Sequence, residues 1–294
     1  MIRTVILGCE NSHAHTFLKI LAEHPEYADI KVVGVYSDEP QPAQALHETF
    51  GVPVMSAFDE AAGCEDRTGF ADAVIVTARN GDNHYKYAAP YLASGVPMFI
   101  DKPVTTTEED AVRLVTDAAR YGVRLTGGSC CRFADGVQRL KAEHRAGKDG
   151  STLGGSVRAP ISLVNGYGNF YFYAQHLVEM VMEIYGRFPR AVRAARNGQT
   201  ISVLFRYDGF DVTGLYVDGN YRYTAGRYAE GGDTLCLCDI GQSCFDREFD
   251  EFVRLARGGD MECTYADFIA PVFVLNAIDR AIESGREQPV AYRG

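Results

Sequence analysis

The stretch Thr4-Val5-Ile6-Leu7-Gly8-Cys9-Glu10-Asn11-Ser12-His13-Ala14-His15 decides the fold. Its first four residues are a short apolar run closed by a glycine, the pattern of a buried parallel strand. A helical pattern follows at once. Ala14, Phe17, Leu18 and Leu21 fall on one face, and Asn11 or Ser12 stands where a cap belongs. The same alternation repeats outward. Residues 30–36 read as a strand, 42–50 as a helix with Pro42 near its first turn and Gly51 as its stop, and 52–55 as a short strand. Residues 73–77 are the next strand, 84–93 a helix and 97–100 a strand. Thr107 then caps a helix whose first turn holds Glu108, Glu109 and Asp110, and residues 124–126 close the region. Six strands alternating with helices predict a parallel, doubly wound sheet with right-handed crossovers.

The pattern changes near residue 125. Helices are expected over 133–145 and 173–185, the second stopped by Gly186, with a strand over 155–163. Strands follow over 191–196, 200–207, 212–217 and 221–225, with a weaker one near Leu235. Asn197-Gly198 and Asp208-Gly209 are hairpin-type turns, which predicts an antiparallel sheet. Two helices, 244–257 and 265–284, finish the chain. The fold class is therefore α/β: a Rossmann doubly wound parallel sheet over residues 1–124, then an α+β domain with a large, mainly antiparallel sheet over residues 125–294.

Composition narrows the function. With 294 residues and 46% hydrophobic content, two domains can each bury a core. The 39 acidic residues outnumber the 29 basic ones, giving a net charge of −10. Phosphate backbones need clustered Lys and Arg, so no nucleic-acid partner is expected. No segment approaches the ~20 apolar residues of a membrane span, and the N-terminal apolar run is too short for a signal peptide. A soluble, cytoplasmic protein without a membrane partner is expected. The eight cysteines lack C-x-x-C spacing, so ordinary reduced thiols are expected and no metal site is assigned.

Four segments carry a resemblance: the strand and turn at 5–15, Phe99-Ile100-Asp101-Lys102-Pro103, Arg132-Phe133, and Tyr173-Ala174-Gln175-His176-Leu177-Val178-Glu179. Together they resemble the glucose–fructose oxidoreductase/inositol dehydrogenase (Gfo/Idh/MocA) family over nearly the whole chain. Asp-Lys-Pro is similar to the family's Glu-Lys-Pro. The resemblance implies an open-faced sheet in the second domain that often forms oligomer contacts, hence a homo-oligomer. It also implies an NAD- or NADP-dependent oxidoreductase acting on sugars, polyols or related small molecules.

At the first turn, a G-x-G-x-x-G fingerprint would use its glycines for the turn, the pyrophosphate and helix–strand packing. Here the six positions are Gly8, Cys9, Glu10, Asn11, Ser12 and His13, so one glycine remains. A Glu10 carboxylate aimed at a phosphate would repel it by about 3–4 kcal/mol at an effective dielectric of about 20. Asn11, Ser12 and the helix N–H groups still suit an anion. An altered dinucleotide turn and a turn that has lost phosphate are both open.

Ser37 and Asp38 end the second strand, where NAD's ribose hydroxyls would be held. Ser37-Asp38-Glu39 offers no cation for a 2′-phosphate, which favours NAD over NADP. Asp38 alternatively solubilises a loop. After Thr77 the loop brings Arg79, for an anionic group or a salt bridge, and His84, for the cofactor site or a helix cap. Asp101 and Lys102 lie at the carboxyl end of a strand, where open α/β sheets bind ligands.

The resemblance implies that Lys102 is the active-site lysine and His176 the catalytic histidine of the second domain, with the nicotinamide near Lys102 in the cleft between domains. Either side chain can handle a proton, and the alternatives are a lysine neutralised by Asp101 and a structural histidine. The family frequently has Asp four residues before that histidine, where this chain has Phe172. Tyr173 is the nearest polar substitute, and Glu179 lies one turn on. The aromatics Tyr167 to Tyr173, with Asn165 and Asn169, suit a ring-bearing ligand or a core. Two other classes stay open: a non-catalytic nucleotide or metabolite sensor, and a lyase or hydrolase in the same cleft.

Overall fold

The computed structural model describes residues 1–63 and 69–293. The chain divides into two compact units. The first comprises Met1–Gly128 with Phe245–Phe268, and the second Ser129–Cys244 with Ile269–Arg293. The boundary expected between residues 124 and 125 thus falls four residues before the end of the first unit's long segment.

The first unit alternates strand and helix: β1 (Ile2–Leu7), α1 (Ser12–Glu23), β2 (Ile30–Tyr36), α2 (Pro40–Phe50), β3 (Ala73–Val76), α3 (Asp82–Leu92), β4 (Met98–Asp101), α4 (Glu108–Tyr121) and β5 (Leu125–Gly128). The strands form one parallel sheet in the order β2-β1-β3-β4-β5. It has five strands rather than six. Residues 52–55 contribute only an isolated bridge between Val35 and Val54. Pro53 has no N–H to extend a ladder, so the segment touches β2 and leaves again. Gly51 stops α2 as expected, in the left-handed conformation at φ 68°, and Gly122 ends α4 in the same way at φ 68°.

Sequence order alone did not place the helix Gln242–Ala256. From Phe245 onward it belongs to the first unit. Phe249 and Phe252 are fully buried in a core with Ile6, Phe17 and Phe99. The Phe17 ring meets Phe99 at 5.1 Å and Phe249 at 5.0 Å between centroids. Polar ties flank this core: Tyr27 donates to Asp250, and Arg257 pairs with Asp29.

The second unit is built on a seven-stranded sheet. Its strands are β6 (Thr152–Ile161), β7 (Ala191–Asn197), β8 (Thr200–Arg206), β9 (Asp211–Asp218), β10 (Tyr223–Ala229), β11 (Gly232–Cys238) and β12 (Gln288–Pro289), in the order β11-β10-β6-β9-β8-β7-β12. The sheet is mixed rather than wholly antiparallel, because β6 runs parallel to β9. Gly198 and Gly209 hold the two expected turns at φ 56° and 87°.

Helices α5 (Asp135–Arg145) and α6 (Phe170–Tyr185) belong to this unit. Helix α6 covers one face of the sheet: the Tyr216 hydroxyl donates to the Ala174 carbonyl at 2.6 Å, and Tyr185 donates to the Gly226 carbonyl. A Cβ at Gly155 would lie 2.2 Å from the Tyr185 hydroxyl, so only glycine lets α6 lie this close. The other face is open. Alternation along β8 and β9 buries Ile201, Val203, Phe205, Val212 and Tyr216 and turns Ser202, Thr213 and Leu215 outward. Leu235 and Leu237 are 71% and 67% exposed on the edge strand β11.

The Phe249 packing gives a first prediction. Phe249→Ala should cost about 3–5 kcal/mol. Thermal unfolding should then move down by roughly 10 °C. A shift of a degree or two would mean the helix is not part of this core.

Candidate active site

The residues expected at the cofactor turn gather at the carboxyl ends of β1 to β4. Gly8 leaves β1 at φ 75°, and a Cβ on it would lie 2.4 Å from the Ala78 Cα, so the turn admits only glycine. Thr77 pulls the same turn inward, its hydroxyl donating to the Gly8 carbonyl at 3.1 Å. Asn11 is the N-cap of α1 by position, but no side chain caps the helix and no acidic residue lies in its first turn. Its backbone N–H groups therefore face the strand ends as an anion site would need.

Glu10 reaches across those ends. Its carboxylate accepts from the Ser37 hydroxyl at 2.9 Å and from the Arg79 backbone N–H at 3.0 Å. It bridges the exits of β2 and β3. Asp38 is exposed and also engaged, accepting from the Tyr36 hydroxyl at 2.8 Å with Lys86 Nζ at 3.4 Å. Burial would raise its carboxyl, but the tyrosines Tyr36 and Tyr87 and the Lys86 charge hold it below the ordinary range. Lys86 also corrects the expected electrostatics. No cation is near Asp38 in sequence, but one turn into α3 a lysine reaches it in space.

Asp101 and Lys102 end β4, both buried. Asp101 Oδ1 accepts from the Lys102 backbone N–H at 2.7 Å, and Oδ2 accepts from Asn11 Nδ2 at 2.7 Å. Lys102 Nζ lies 3.9 Å from Asp101 Oδ2. His13 stands in the place of the fingerprint's third glycine, 3.4 Å from Asp101 on one side and 3.4 Å from Glu248 on the other. Burial would lower this imidazole's pKa. The two carboxylates outweigh burial and raise it. Burial would likewise raise Asp101, and the charges of His13 and Lys102 hold it low. Neither Glu248 nor its link to His13 is legible in the sequence, where they stand 235 residues apart.

His84 serves the loop. It is wholly buried, with Nε2 2.8 Å from the Ala78 carbonyl, and burial lowers its pKa. This hydrogen bond pins the 78–81 loop over the start of α3.

In the second unit, α6 carries His176 and Tyr173. His176 is 5% exposed, and the Tyr173 ring lies against it at 5.1 Å between centroids. Burial raises the Tyr173 hydroxyl's pKa. Glu179 does not orient the ring. It accepts from Gln175 one turn earlier, and burial raises its carboxyl despite the Arg132 and Arg187 charges. The partners of His176 come from the chain just after the parallel sheet instead. Ser129 Oγ lies 2.6 Å from Nδ1 and Cys131 Sγ 3.4 Å from it. Asn165 is used by its own loop, donating to the Ser162 and Asn169 carbonyls at 3.0 Å each and accepting from Tyr167 and Asn169 N–H groups. Its amide braces the turn into α6.

A dinucleotide fits the first unit with one exception. The tight Gly8 turn, the uncapped α1 terminus and the buried Lys102 suit it, whereas the Glu10 carboxylate puts a negative charge beside the place of the phosphates.

Residues 2–129 match the family model described as the oxidoreductase family with an NAD-binding Rossmann fold, GFO_IDH_MocA. The rhizopine catabolism protein MocA of Rhizobium meliloti is 25% identical over 249 residues, 74% of this chain and 78% of that protein. Inositol 2-dehydrogenase of Acidiphilium cryptum is 39% identical over 72 residues, 24% of this chain and 21% of that protein. In three of the four curated relatives the match spans 36% or less of the relative's length. The solved scyllo-inositol dehydrogenase of Lactobacillus casei, with bound NAD(H) and scyllo-inositol, shares the fold with a TM-score of 0.83 at 16% identity, over 99% of each chain. The family model and the shared fold agree on this much: residues 2–129 resemble the NAD-binding Rossmann domain of the Gfo/Idh/MocA oxidoreductase family, and the whole chain shares the fold of the solved inositol dehydrogenase.

Proposed function

We propose that this chain is an NAD-dependent oxidoreductase acting on a CH–OH group of a sugar, polyol or related small hydroxy compound. The observation that carries the reading is Lys102. A buried lysine at the carboxyl end of a parallel strand, beside a buried carboxylate, sits in a domain that matches an NAD-binding family. The substrate class follows the relatives, which include inositol dehydrogenases. A bound nicotinamide would exchange hydride with the carbinol carbon. This chain's part is to hold the cofactor at the α1 terminus and to move the hydroxyl proton.

In this reading Gly8, Asn11, Ser12, Thr77 and the 78–84 loop shape the cofactor seat. Ser37 and Asp38 belong to the ribose end; the Asp38 carboxylate favours NAD, while Lys86 beside it is the cation that a 2′-phosphate would need. Lys102 is the first proton-handling group, with Asp101 fixing it. His176 is the second, with Tyr173 packed on its ring. The two belong to different units, and each is tested by its own variant. The open sheet face, with Leu215, Leu235 and Leu237 turned outward, is the proposed homo-oligomer surface. Among the described residues no helix is long and apolar enough to cross a membrane. The reading keeps the protein in the cytoplasm, where the seven described free thiols stay reduced.

A second reading, a nucleotide or metabolite sensor without turnover, is favoured by Glu10 and by Phe172 in place of an acid. Three measurements separate the readings. Calorimetry with NADH should show binding, and Glu10→Gly should tighten it between tenfold and several hundredfold, or about 1.4–4 kcal/mol. Weaker binding in that variant would mean the carboxylate holds ribose hydroxyls, and no binding by either protein would sink the proposal. In a polyol screen read by nicotinamide absorbance, Lys102→Ala and His176→Ala should each lower turnover by about 10²–10⁴-fold. Binding without any turnover would support the sensor. Light scattering should give a mass that is a multiple of 32.3 kDa, and Leu235→Glu with Leu237→Glu should reduce it if the open face is the interface.

A further inference from the structure

The polar contacts of His176 fall on one ring nitrogen, Nδ1, and so bear on where its proton sits. This inference rests on the proposed function for its reaction, but its geometry is independent of it.

Both polar neighbours of the ring approach Nδ1: Ser129 Oγ at 2.6 Å and Cys131 Sγ at 3.4 Å. All three residues are buried. They meet because Ser129 caps the short 3-10 turn Cys130–Phe133, its Oγ accepting from the Cys131 N–H at 3.1 Å. With one lone pair so used, the Ser129 hydroxyl can still donate, and Nδ1 and the Cys131 sulfur are the acceptors within its reach.

The sulfur is surrounded by donors. Burial alone would raise the Cys131 thiol, but hydrogen bonding from Cys130, the nearby His176 ring and the Ser129 hydroxyl outweigh it and hold the thiol well below its ordinary range. Tyr223 also points its hydroxyl at this sulfur, and burial with the adjacent thiol raises that phenol's pKa. The titratable groups facing the ring are thus Cys130, Cys131, Tyr173 and Tyr223, and among the described residues no carboxylate is a hydrogen-bond partner of the ring.

We infer that Cys131 and His176 form a buried acid that holds two protons and presents one of them at His176 Nε2, with Ser129 as the residue that positions it. Two protons on Sγ, Nδ1 and Nε2 have three arrangements, and two of them carry Nε2–H. In one, the thiol and the serine hydroxyl donate to Nδ1, and the neutral ring carries its proton on Nε2. In the other, Cys131 is a thiolate and the imidazolium carries protons on both nitrogens. Nε2–H is common to both. A carboxylate partner on Nδ1 would do the reverse, holding Nδ1–H and leaving Nε2 as a base.

The ligand group that suits Nε2–H is an acceptor, a carbonyl oxygen rather than a hydroxyl to be deprotonated. In the reducing direction a bound reduced nicotinamide would supply hydride to the carbonyl carbon. The carbonyl π pair goes to oxygen, which takes the Nε2 proton and becomes a hydroxyl. The ring is left neutral with Nδ1–H beside the Cys131 thiolate. The donors from Ser129, Cys130 and Tyr223 stabilise that remaining charge. Water returns the proton. The resting ring is therefore set to give a proton to a carbonyl oxygen.

Nitrogen-15 NMR of the histidine-labelled protein alone tests this, with the His176 signals assigned by their loss in His176→Gln. Near neutral pH, a proton on Nε2, with or without one on Nδ1, is expected. A proton on Nδ1 alone overturns the inference. Ser129→Ala with Cys131→Ala should shift the ring towards Nδ1–H and lower NADH-dependent reduction of a keto-polyol panel about 10²-fold, with NADH affinity within about twofold of the parent. Cys131→Ser, which keeps a donor, should retain the Nε2 proton. A tautomer unchanged in the double variant overturns the role of Ser129 and Cys131. If the tautomer is as expected but no keto compound is reduced, the proposed function fails and the proton placement stands.

Discussion

The buried carboxylate of Asp101 is the interaction on which the first unit's site depends. An isolated carboxylate in that position would cost several kcal/mol in lost hydration. It is kept because four neighbours meet it: the Lys102 backbone N–H, the Asn11 amide, the His13 ring and the Lys102 ammonium. Each neighbour comes from a different task. Asn11 belongs to the turn before α1, Lys102 to the end of β4, and His13 to the face of α1 that meets Phe245 and Phe249's helix. One ionised group thus ties the turn after β1, Lys102 and, through His13, the helix Gln242–Ala256 into one electrostatic unit.

Much of the fold was legible because strand and helix periods are local properties. The run Thr4 to Leu7, the caps at Thr107 and Gly51, and the turns at Gly198 and Gly209 all appear where the chain pattern puts them. The departures share a cause. Residues 52–55 have strand composition, but Pro53 removes the hydrogen bond that a ladder needs. The parallel pairing of β6 with β9 and the return of residues 245–268 to the first unit are choices of partner, and residue periodicity carries no information about partners.

The candidate site divides along the same line. Lys102, Asp101, Asn11 and His176 stand in recognisable positions within short motifs. Their partners do not. Lys86 reaches Asp38 from 48 residues away, Glu248 reaches His13 from 235, and Ser129 and Cys131 reach His176 from 47 and 45. Cys130-Cys131 is visible as a pair in the sequence, but nothing local shows that the second thiol faces an imidazole. Tyr173 and Glu179 are the neighbours that the helix itself offers His176, whereas the side chains on its Nδ1 come from a different segment.

His13 has a further consequence for how such a turn could change. The position belongs to a glycine in the usual fingerprint, where smallness lets helix and strand close together. Here the imidazole lies between two buried carboxylates, Asp101 and Glu248, and separates their charges. Restoring glycine would bring those negative charges face to face across a void. Positions 13, 101 and 248 are therefore interdependent: a glycine at position 13 is reached without that clash only if residues distant in the chain change with it. A turn that looks degenerate when read linearly is held in place by its epistasis.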